Sequence, residues 1–366
     1  MTGQRKSRAG GARGGALSWL NAFAAGIFVG LGLSVADRFI DLRGDAGPGA
    51  PGATAPTKIP LAGWKSALLR SFKCFSADQI PAAAGGATFF VLLALFPALS
   101  AFASLYGLFA DLAETRRQIE GLHGLLPGGA VSVLSNAIAR LASAKHGSLG
   151  LAFAVSFLIS IWSSNAGVKA LIAGLNDAYE EKERRGFLPL NALSLGFTVG
   201  LILFAVAAGF VLVAAPATLR ALGLPGLAGA AVLRWPAILI AVGTLFSLLY
   251  RFGPCRVHAK WRWITPGSAL AACVWVAMSV GFSWYAANLG HYDKTYGSLG
   301  AIIGFMTWIW LSVMVVLYGA ELNSALELQT SADTTAGPPK PAGLRGAAVA
   351  DRAAPDSRGH ARRKHA

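Results

Sequence analysis

The chain has 366 residues, of which 54% are hydrophobic and only 13% are charged. Soluble domains carry roughly 25% charged residues, so this composition excludes an ordinary soluble enzyme or a disordered regulator. The formal net charge of +15 would point to nucleic acid in a soluble protein. Here the basic residues fall in connections and tails, which favours membrane topology and contact with anionic lipid over nucleic-acid binding.

The N-terminal region combines a basic tail with an uncharged apolar segment. Residues 1–15 are basic and Gly-rich, and we expect them to be disordered. Residues 16–36 contain no charge, and three placements fit them: a membrane helix, an interfacial or re-entrant helix, or a signal peptide whose cleavage site ends at Ala36. A spanning helix would put the basic tail outside, against the positive-inside rule. Residues 37–60 then form a Gly- and Pro-rich linker.

An amphipathic segment precedes the membrane core. Between residues 61 and 80, apolar side chains recur near helical spacing and basic side chains stand between them. The apolar residues are Trp64, Leu68, Phe72 and Phe75, and the basic ones are Lys65, Arg70 and Lys73. This pattern predicts a short elbow helix that lies in the cytoplasmic interface of the membrane.

Six further apolar stretches are long enough to cross a bilayer, whose hydrocarbon core is spanned by about 20 residues of α-helix. They cover residues 83–109, 148–174, 190–215, 235–253, 266–289 and 298–324. A backbone inside lipid must satisfy its own hydrogen bonds, so each stretch is predicted to be helical. We therefore expect an all-α, polytopic transmembrane helical bundle over residues 61–328, followed by a disordered basic tail over residues 329–366.

The distribution of basic residues predicts the orientation of the six-helix core. Lysine and arginine are dense before the first span, in the second-to-third and fourth-to-fifth connections, and in the C-terminal tail. The other connections hold fewer basic residues, spread over longer loops. Under the positive-inside rule, both ends of the core face the cytoplasm and the loop over residues 110–147 is periplasmic.

Four segments, in this order, resemble the YihY/BrkB family of bacterial inner-membrane proteins, once labelled ribonuclease BN-like. They are AAAGGATFFVLLALFPALSAF (82–102), IWSSNAGVKALIAGLNDAYEEKERRGF (161–187), YRFGPCRVHAKWRWITPGSALAACVW (250–275) and YGSLGAIIGFMTWIWLSVMVVLYGAELNSALE (296–327). The resemblance covers about residues 61–328, and Gly85-Gly86 depart from it, since bulkier apolar residues or alanine are usual there. It implies a six-helix inner-membrane protein of poorly defined biochemical activity, with transport and envelope roles as the usual suggestions.

Two charged residues lie inside predicted spans, where a central charge costs about 2.5–3.5 kcal/mol on insertion scales. Lys169 and Glu321 lie at similar depth near the cytoplasmic ends of their spans, so we expect them to pair in the bundle interior. Further polar groups on the same side complete a candidate functional cluster: Arg251, Asn165, Asn176 and Asn323. The alternative is that Lys169 snorkels to the interface and the other groups cap helix ends.

Proline and glycine mark two further candidate features. Pro97 lies in the middle of the first core span and should kink it, which either shapes the bundle or provides a hinge. Gly297, Gly300 and Gly304 stand at the start of the last span, where small residues permit close helix packing. A passage lined by backbone groups is the alternative role for these glycines.

The sequence lacks recognisable catalytic and metal-binding motifs. It contains no H-E-x-x-H, Walker A or G-x-S-x-G pattern, and its six histidines lack metal-ligand spacing. The three cysteines, Cys74, Cys255 and Cys273, are widely separated, which argues against a disulfide framework or a zinc site. We therefore expect no cofactor, no metal and no enzyme activity, and we disfavour a ribonuclease in particular.

Transport or handling of a solute or lipid fits these features best, because a kinked helix and buried charges suit a cavity. The alternative is a non-catalytic envelope scaffold, in which the charges only fix helix packing. The expected partners are membrane lipids, including anionic lipids; the sequence leaves open a homo-oligomer, and nucleic acid is not expected. A cavity that reaches Lys169 and Glu321 would favour transport, and a dry bundle would favour a scaffold.

Overall fold

The computed structural model describes residues 49–109, 146–209, 234–288 and 299–352. Its helices are, in chain order, α1 (Leu61–Ala77), α2 (Ile80–Phe109), α3 (His146–Ala178), α4 (Phe187–Gly209), α5 (Arg234–Phe252), α6 (Trp261–Asn288), α7 (Leu299–Glu327) and α8 (Ala348–Asp351). Within these four ranges, the extended pairing is limited to an isolated bridge between Ala259 and Thr335. The prediction of an all-α fold is confirmed.

The helices have the length and apolarity of membrane spans. Four qualify alone: Ala154–Ala178, Phe187–Phe204, Trp261–Ala286 and Ile302–Glu327. A fifth candidate combines Leu61–Ala77 with Ile80–Leu95, which are bent by 62° to each other, and the apolar part of α5 is shorter. The chain is therefore a polytopic helical membrane bundle, with a helix at each of the six predicted core positions.

The predicted elbow helix is α1, and its two faces differ in the size of their side chains. Its buried residues include the small Gly63, Ala67 and Ser71. Its exposed residues include large apolar ones, Leu61, Leu68, Leu69 and Phe72. An exposed apolar stripe of this kind suits contact with lipid at the membrane interface.

Helix α7 lies at the centre of the bundle, where it contacts α1, α2, α3 and α6. Its Leu317 and Ala320 are fully buried. They pack in one core cluster with Leu175 of α3 and Tyr250 of α5. A residue near the C-terminal end of α7, such as Glu321, is therefore held against several other helices.

Two glycines permit close contact between α6 and α7. A Cβ atom on Gly267 would lie 2.1 Å from the carbonyl oxygen of Gly319. A Cβ atom on Gly319 would lie 2.3 Å from the hydroxyl of Tyr250. The side-chain oxygen of Asn323 accepts a hydrogen bond from the Gly267 amide at 2.8 Å, so the crossing is also fixed by a polar contact.

The glycines predicted to pack the last span behave differently. A Cβ atom on Gly304 would meet nothing within 4 Å, so this glycine makes no close helix contact with the described residues. Gly300 is buried at the start of α7, and Gly297 lies outside the described residues. The close crossing therefore lies near the other end of α7, at Gly319.

We expect the Gly319→Ala substitution to lower the free energy of unfolding by about 1–3 kcal/mol, because the added methyl group overpacks the crossing. Gly304→Ala is the matched control on the same helix, and it should be neutral or slightly stabilising, since alanine is the better helix former. Thermal or denaturant unfolding in detergent measures both changes. Equal losses for the two variants would contradict this account of the crossing.

The C-terminal segment is ordered as far as Arg352, so the prediction of a disordered tail over residues 329–366 is wrong for residues 329–352. Arg345, which is only 5% exposed, explains the order. Its guanidinium donates hydrogen bonds to four carbonyl oxygens, those of Ser331, Ala332, Lys340 and Ala350. In the sequence, Arg345 is one of several basic residues in the predicted tail. In the structure, its guanidinium holds the surrounding loop together. Residues 353–366 lie outside the described residues.

The predicted linker over residues 37–60 is also ordered in its described part, residues 49–60. Ala53 and Ile59 are buried there. The hydroxyl of Thr330 donates a hydrogen bond to the carbonyl of Ala53 at 2.7 Å, which ties this segment to the end of α7. The predicted basic tail (1–15) and apolar segment (16–36) lie outside the described residues.

The main bend in the first part of the bundle lies at the junction of two helices. The 62° angle between α1 and α2 falls at Asp78 and Gln79. Pro97 lies within α2, which continues from Ile80 past the proline to Phe109. A hinge at Pro97 therefore stays a prediction.

Candidate functional site

A cavity of about 970 Å³ lies at the corner where α1 meets α2, and we call it the corner cavity. Its walls come from the end of α1, the start of α2, the end of α3 with the turn that follows, and the C-terminal segment. Charged and polar residues in the lining are Arg70, Cys74, Asp78, Gln79, Asp177, Glu180, Glu181, Lys182 and Arg352. Ligand sites in proteins commonly enclose about 300–1,000 Å³, so the volume is sufficient for a small molecule or a lipid head group.

Unusual backbone conformations concentrate at this cavity. Gln79 and Glu180 have φ angles of 49° and 54°, and they are the non-glycine residues with positive φ in the described ranges. Both line the corner cavity. Left-handed backbone at residues other than glycine costs of order 1–3 kcal/mol and clusters at functional sites. Contacts in the rest of the bundle therefore hold the two turns at Gln79 and Glu180 in an unfavourable backbone conformation beside the cavity.

The rim of the corner cavity is built from ion pairs that involve the C-terminal segment. Glu180 contacts Arg70 at 3.7 Å and also pairs with Arg352. The neighbouring Glu181 accepts a hydrogen bond from the Ala348 amide at 2.6 Å, at the start of α8. The segment predicted to be a free tail thus forms one wall of the cavity.

A buried carboxylate stands beside the lining. Glu321 of α7 is 3% exposed, and its Oε1 atom has no hydrogen-bond partner among the described residues. Its carboxylate, the Sγ atom of Cys74 and the carboxylate of Asp78 each offer an oxygen or sulfur atom within 4.8 Å of the other two. Cys74 and Asp78 line the corner cavity, so Glu321 adjoins the cavity through these two residues without lining it.

The structure does not bring Lys169 to Glu321. The ammonium of Lys169 donates a hydrogen bond to the side-chain oxygen of Asn191 on α4, and it lies 5.9 Å from the centre of the Phe187 ring. Asn165 donates to the same Asn191 oxygen at 3.3 Å. Lys169 and Asn165 therefore belong to a separate polar contact between α3 and α4, which does not line the corner cavity.

The other members of the predicted cluster fix connections between elements. Asn176 accepts a hydrogen bond from the Cys255 amide at 2.7 Å and donates one to Glu183 at 3.0 Å. Arg251 donates to the carbonyl of Ala259, and its guanidinium lies 4.6 Å from the centre of the Trp261 ring. Asn323 holds the α6–α7 crossing described above. Among the six cluster residues, Glu321 is the member that adjoins the corner cavity.

The turn after α3 is held by a strong local ion pair. Arg185 contacts the Glu183 carboxylate at 2.6 Å and donates a second hydrogen bond to the Gly253 carbonyl at 2.8 Å. Hydrogen bonds from Arg185 lower the pKa of Glu183 to about 2. The carboxylate therefore stays charged under ordinary conditions, and the turn keeps its shape beside the corner cavity.

Sequence reasoning missed a fully buried ion pair at the C-terminal end of α7. Arg256 and Glu327 approach to 2.7 Å, and their side chains are 2% and 0% exposed. The hydroxyl of Thr334 donates to the same carboxylate at 2.8 Å. The pair joins the α5–α6 loop to α7 and the C-terminal segment, so it holds the scaffold rather than the cavity.

Comparison with known proteins gives the family and the nature of its members. A family model described as virulence factor BrkB matches residues 71–343. The ribonuclease-like protein YfkH of Bacillus subtilis is 28% identical over 249 residues, which cover 65% of this chain and 86% of that protein. A UPF0761 membrane protein of Alkalilimnicola ehrlichii is 30% identical over 250 residues, covering 64% of this chain and 52% of the relative.

A third relative is the UPF0761 membrane protein PSHAa0171 of Pseudoalteromonas translucida. It is 29% identical over 269 residues, which cover 70% of this chain and 84% of the relative. No solved structure matches the chain. Two of these three relatives are named as membrane proteins, and the three names state no shared substrate.

Proposed function

Because the chain belongs to the BrkB family, whose relatives include UPF0761 membrane proteins, we propose that it transports or handles a solute or a lipid head group through the corner cavity. The observation that carries the proposal is the volume of about 970 Å³ walled by charged side chains and adjoining the buried Glu321. Ionisable groups within a membrane bundle are costly to bury, and they commonly mark solute or ion pathways.

The proposal is for a protein without catalytic activity. The name of YfkH refers to a ribonuclease, and that label belongs to the relative. A metal-dependent nuclease needs clustered metal ligands on a surface wide enough to admit a polynucleotide. The corner cavity is instead walled on several sides by helix ends and by Arg352, which favours a small guest.

We also propose that the protein lies in the bacterial inner membrane with the corner cavity towards the cytoplasm. Support comes from the basic residues around the cavity, including Arg70, Lys182 and Arg352, because cytoplasmic loops carry an excess of lysine and arginine. The loop predicted over residues 110–147 would then be periplasmic. Both ends of the six-helix core would lie on the cytoplasmic side.

Single cysteines test this orientation in a chain whose three native cysteines are replaced by serine. We expect Leu125→Cys to react with a membrane-impermeant thiol reagent in cells whose outer membrane is permeabilised. Lys182→Cys should react only after the inner membrane is opened, since its side chain is exposed on the opposite side. The reverse pattern of labelling would contradict the orientation.

The transport proposal is tested by comparing the solute and lipid content of cells and medium. The strains would lack the protein, or carry the parental chain, Asp177→Asn or Lys182→Gln. Lys65→Gln is the matched control, because Lys65 is exposed on α1 and does not line the cavity. We expect the deletion and the two cavity variants to change the same compounds, and the control to match the parent.

The alternative function is an envelope scaffold, which the closely fitted α6–α7 crossing favours. A scaffold predicts that deletion weakens the envelope while the content of solutes and lipids stays unchanged. It also predicts that Asp177→Asn and Lys182→Gln restore the envelope as fully as the parental chain does. That combination of results would overturn the proposal of transport.

A further inference from the structure

We propose that Cys74, Asp78 and Glu321 form a binding site for a divalent transition-metal ion at the edge of the corner cavity. The proposal goes beyond the transport role, because the site would bind a metal ion whether or not the protein transports that ion. Two features carry it: the convergence of three ligand groups and a buried carboxylate oxygen that lacks a partner.

The positions of the three residues follow from two elements that pack against each other. Cys74 is in the last turn of α1, and Asp78 caps the same helix, so both side chains stand near its end. Glu321 reaches them from α7, which packs directly on α1. One oxygen or sulfur atom of each residue lies within 4.8 Å of the other two. Metal–ligand bonds of about 2.0–2.3 Å would draw these atoms somewhat closer, which a small side-chain rotation supplies.

The unpartnered oxygen is the independent sign of a ligand. Glu321 is 3% exposed, and buried polar atoms in proteins are nearly always hydrogen-bonded. Its Oε1 has no hydrogen-bond partner among the described residues, and Asp78 places a second carboxylate nearby. Two carboxyl groups this close repel each other when both are ionised, so without a metal one of them would hold a proton. A cation between them would satisfy the free oxygen and remove the repulsion.

One cationic side chain of α1 also lies beside the three residues. Arg70 lines the corner cavity and contacts Glu180 at 3.7 Å. On metal binding Cys74 would release its proton, and the resulting thiolate and two carboxylates would offset the charge of a divalent ion.

The mixture of ligand types indicates the class of metal. Carboxylate oxygens alone would suit magnesium, calcium or manganese, whereas a thiolate favours softer ions. One sulfur with two oxygens suits zinc or cobalt(II), which accept four-coordinate sites with cysteine and carboxylate ligands. Three protein ligands leave a coordination position for water or a guest in the corner cavity.

Cobalt(II) is a suitable probe, because a cobalt–thiolate bond gives a charge-transfer absorption band that carboxylates and histidines do not give. The full chain would be purified in detergent without a histidine tag and titrated with cobalt(II) chloride. We expect one equivalent to bind with this band and zinc chloride to displace it. The Cys74→Ser variant should lose the band, while Cys255→Ser and Cys273→Ser, which remove the other two free thiols, should keep it.

The carboxylates are tested by affinity. We expect Glu321→Gln and Asp78→Asn each to weaken cobalt binding about tenfold or more, with the monodispersity of the protein unchanged. Lys65→Gln, on the exposed face of α1 and outside the cavity, should leave the affinity within about twofold of the parental value. Absence of the band in the parental chain would overturn the proposal. So would a band that persists in Cys74→Ser, or equal affinity in Glu321→Gln.

Discussion

Replacing Glu327 with glutamine is expected to lower the free energy of unfolding by about 3–5 kcal/mol, because the change leaves Arg256 buried without a counter-charge. The two side chains are 2% and 0% exposed and form two hydrogen bonds, at 2.7 and 3.1 Å. The Tyr179 ring lies 4.9 Å from the guanidinium and shields it further. A stranded charge here cannot reach solvent without opening the contact between the α5–α6 loop and α7.

The double change Arg256→Met with Glu327→Gln should recover part of this loss, since no charge is then stranded. The matched control is the Arg185–Glu183 pair, whose side chains are 19% and 27% exposed. Glu183→Gln should cost less than Glu327→Gln, because solvent partly screens this half-buried pair. Denaturant unfolding in detergent measures all of these variants. Similar small losses for Glu327→Gln and Glu183→Gln would refute the buried pair as a main determinant of stability.

Truncation after Thr330 is expected to destabilise the membrane domain, although the removed residues contain no span. The truncation deletes Arg345 with its four carbonyl contacts, and it also deletes Thr334, which bonds to Glu327. Val349 and Ala350 are buried and would be lost as well. We expect a loss of stability of several kcal/mol, which exceeds a typical single substitution. Thermal unfolding and monodispersity in detergent measure this loss.

Truncation after Arg352 is the matched control, because it removes basic residues and keeps the contacts that the structure describes for residues 331–352. This shorter deletion should leave the unfolding temperature of the membrane domain unchanged. If both truncations behave alike, the segment over residues 331–352 does not support the bundle. If only the longer deletion destabilises the protein, the C-terminal segment is part of the membrane domain.

The helices of this fold can be predicted from the sequence because they lie in a lipid environment. A span of about 20 apolar residues has few alternatives to a helix, so the six core helices and the elbow helix α1 follow from apolar length and amphipathic spacing. The order of residues 329–352 does not follow from such patterns. It depends on Arg345, whose contacts lie 5 to 14 residues away along the chain and show no periodicity.

The candidate site was predictable only in part. The cost of burying a charge singled out Glu321, but depth along a helix does not give the direction in which a side chain points. Lys169 lies on the face of α3 that meets α4, and Glu321 lies on the side of α7 that meets α1. The spacing Cys74-x-x-x-Asp78 puts two ligand groups one helical turn apart, and it was a usable signal. Their meeting with a carboxylate on the last span depends on tertiary packing.

The accessibility of Cys74 tests the central claim most directly, because this thiol lines the corner cavity. The experiment uses a chain in which Cys255 and Cys273 are replaced by serine, together with a membrane-impermeant thiol reagent. With a chelator present to keep the thiol free of metal, the account predicts that Cys74 reacts in inverted inner-membrane vesicles and stays unreacted in right-side-out vesicles. Equal protection in both preparations would contradict an open cavity, and reaction only in right-side-out vesicles would contradict its cytoplasmic orientation.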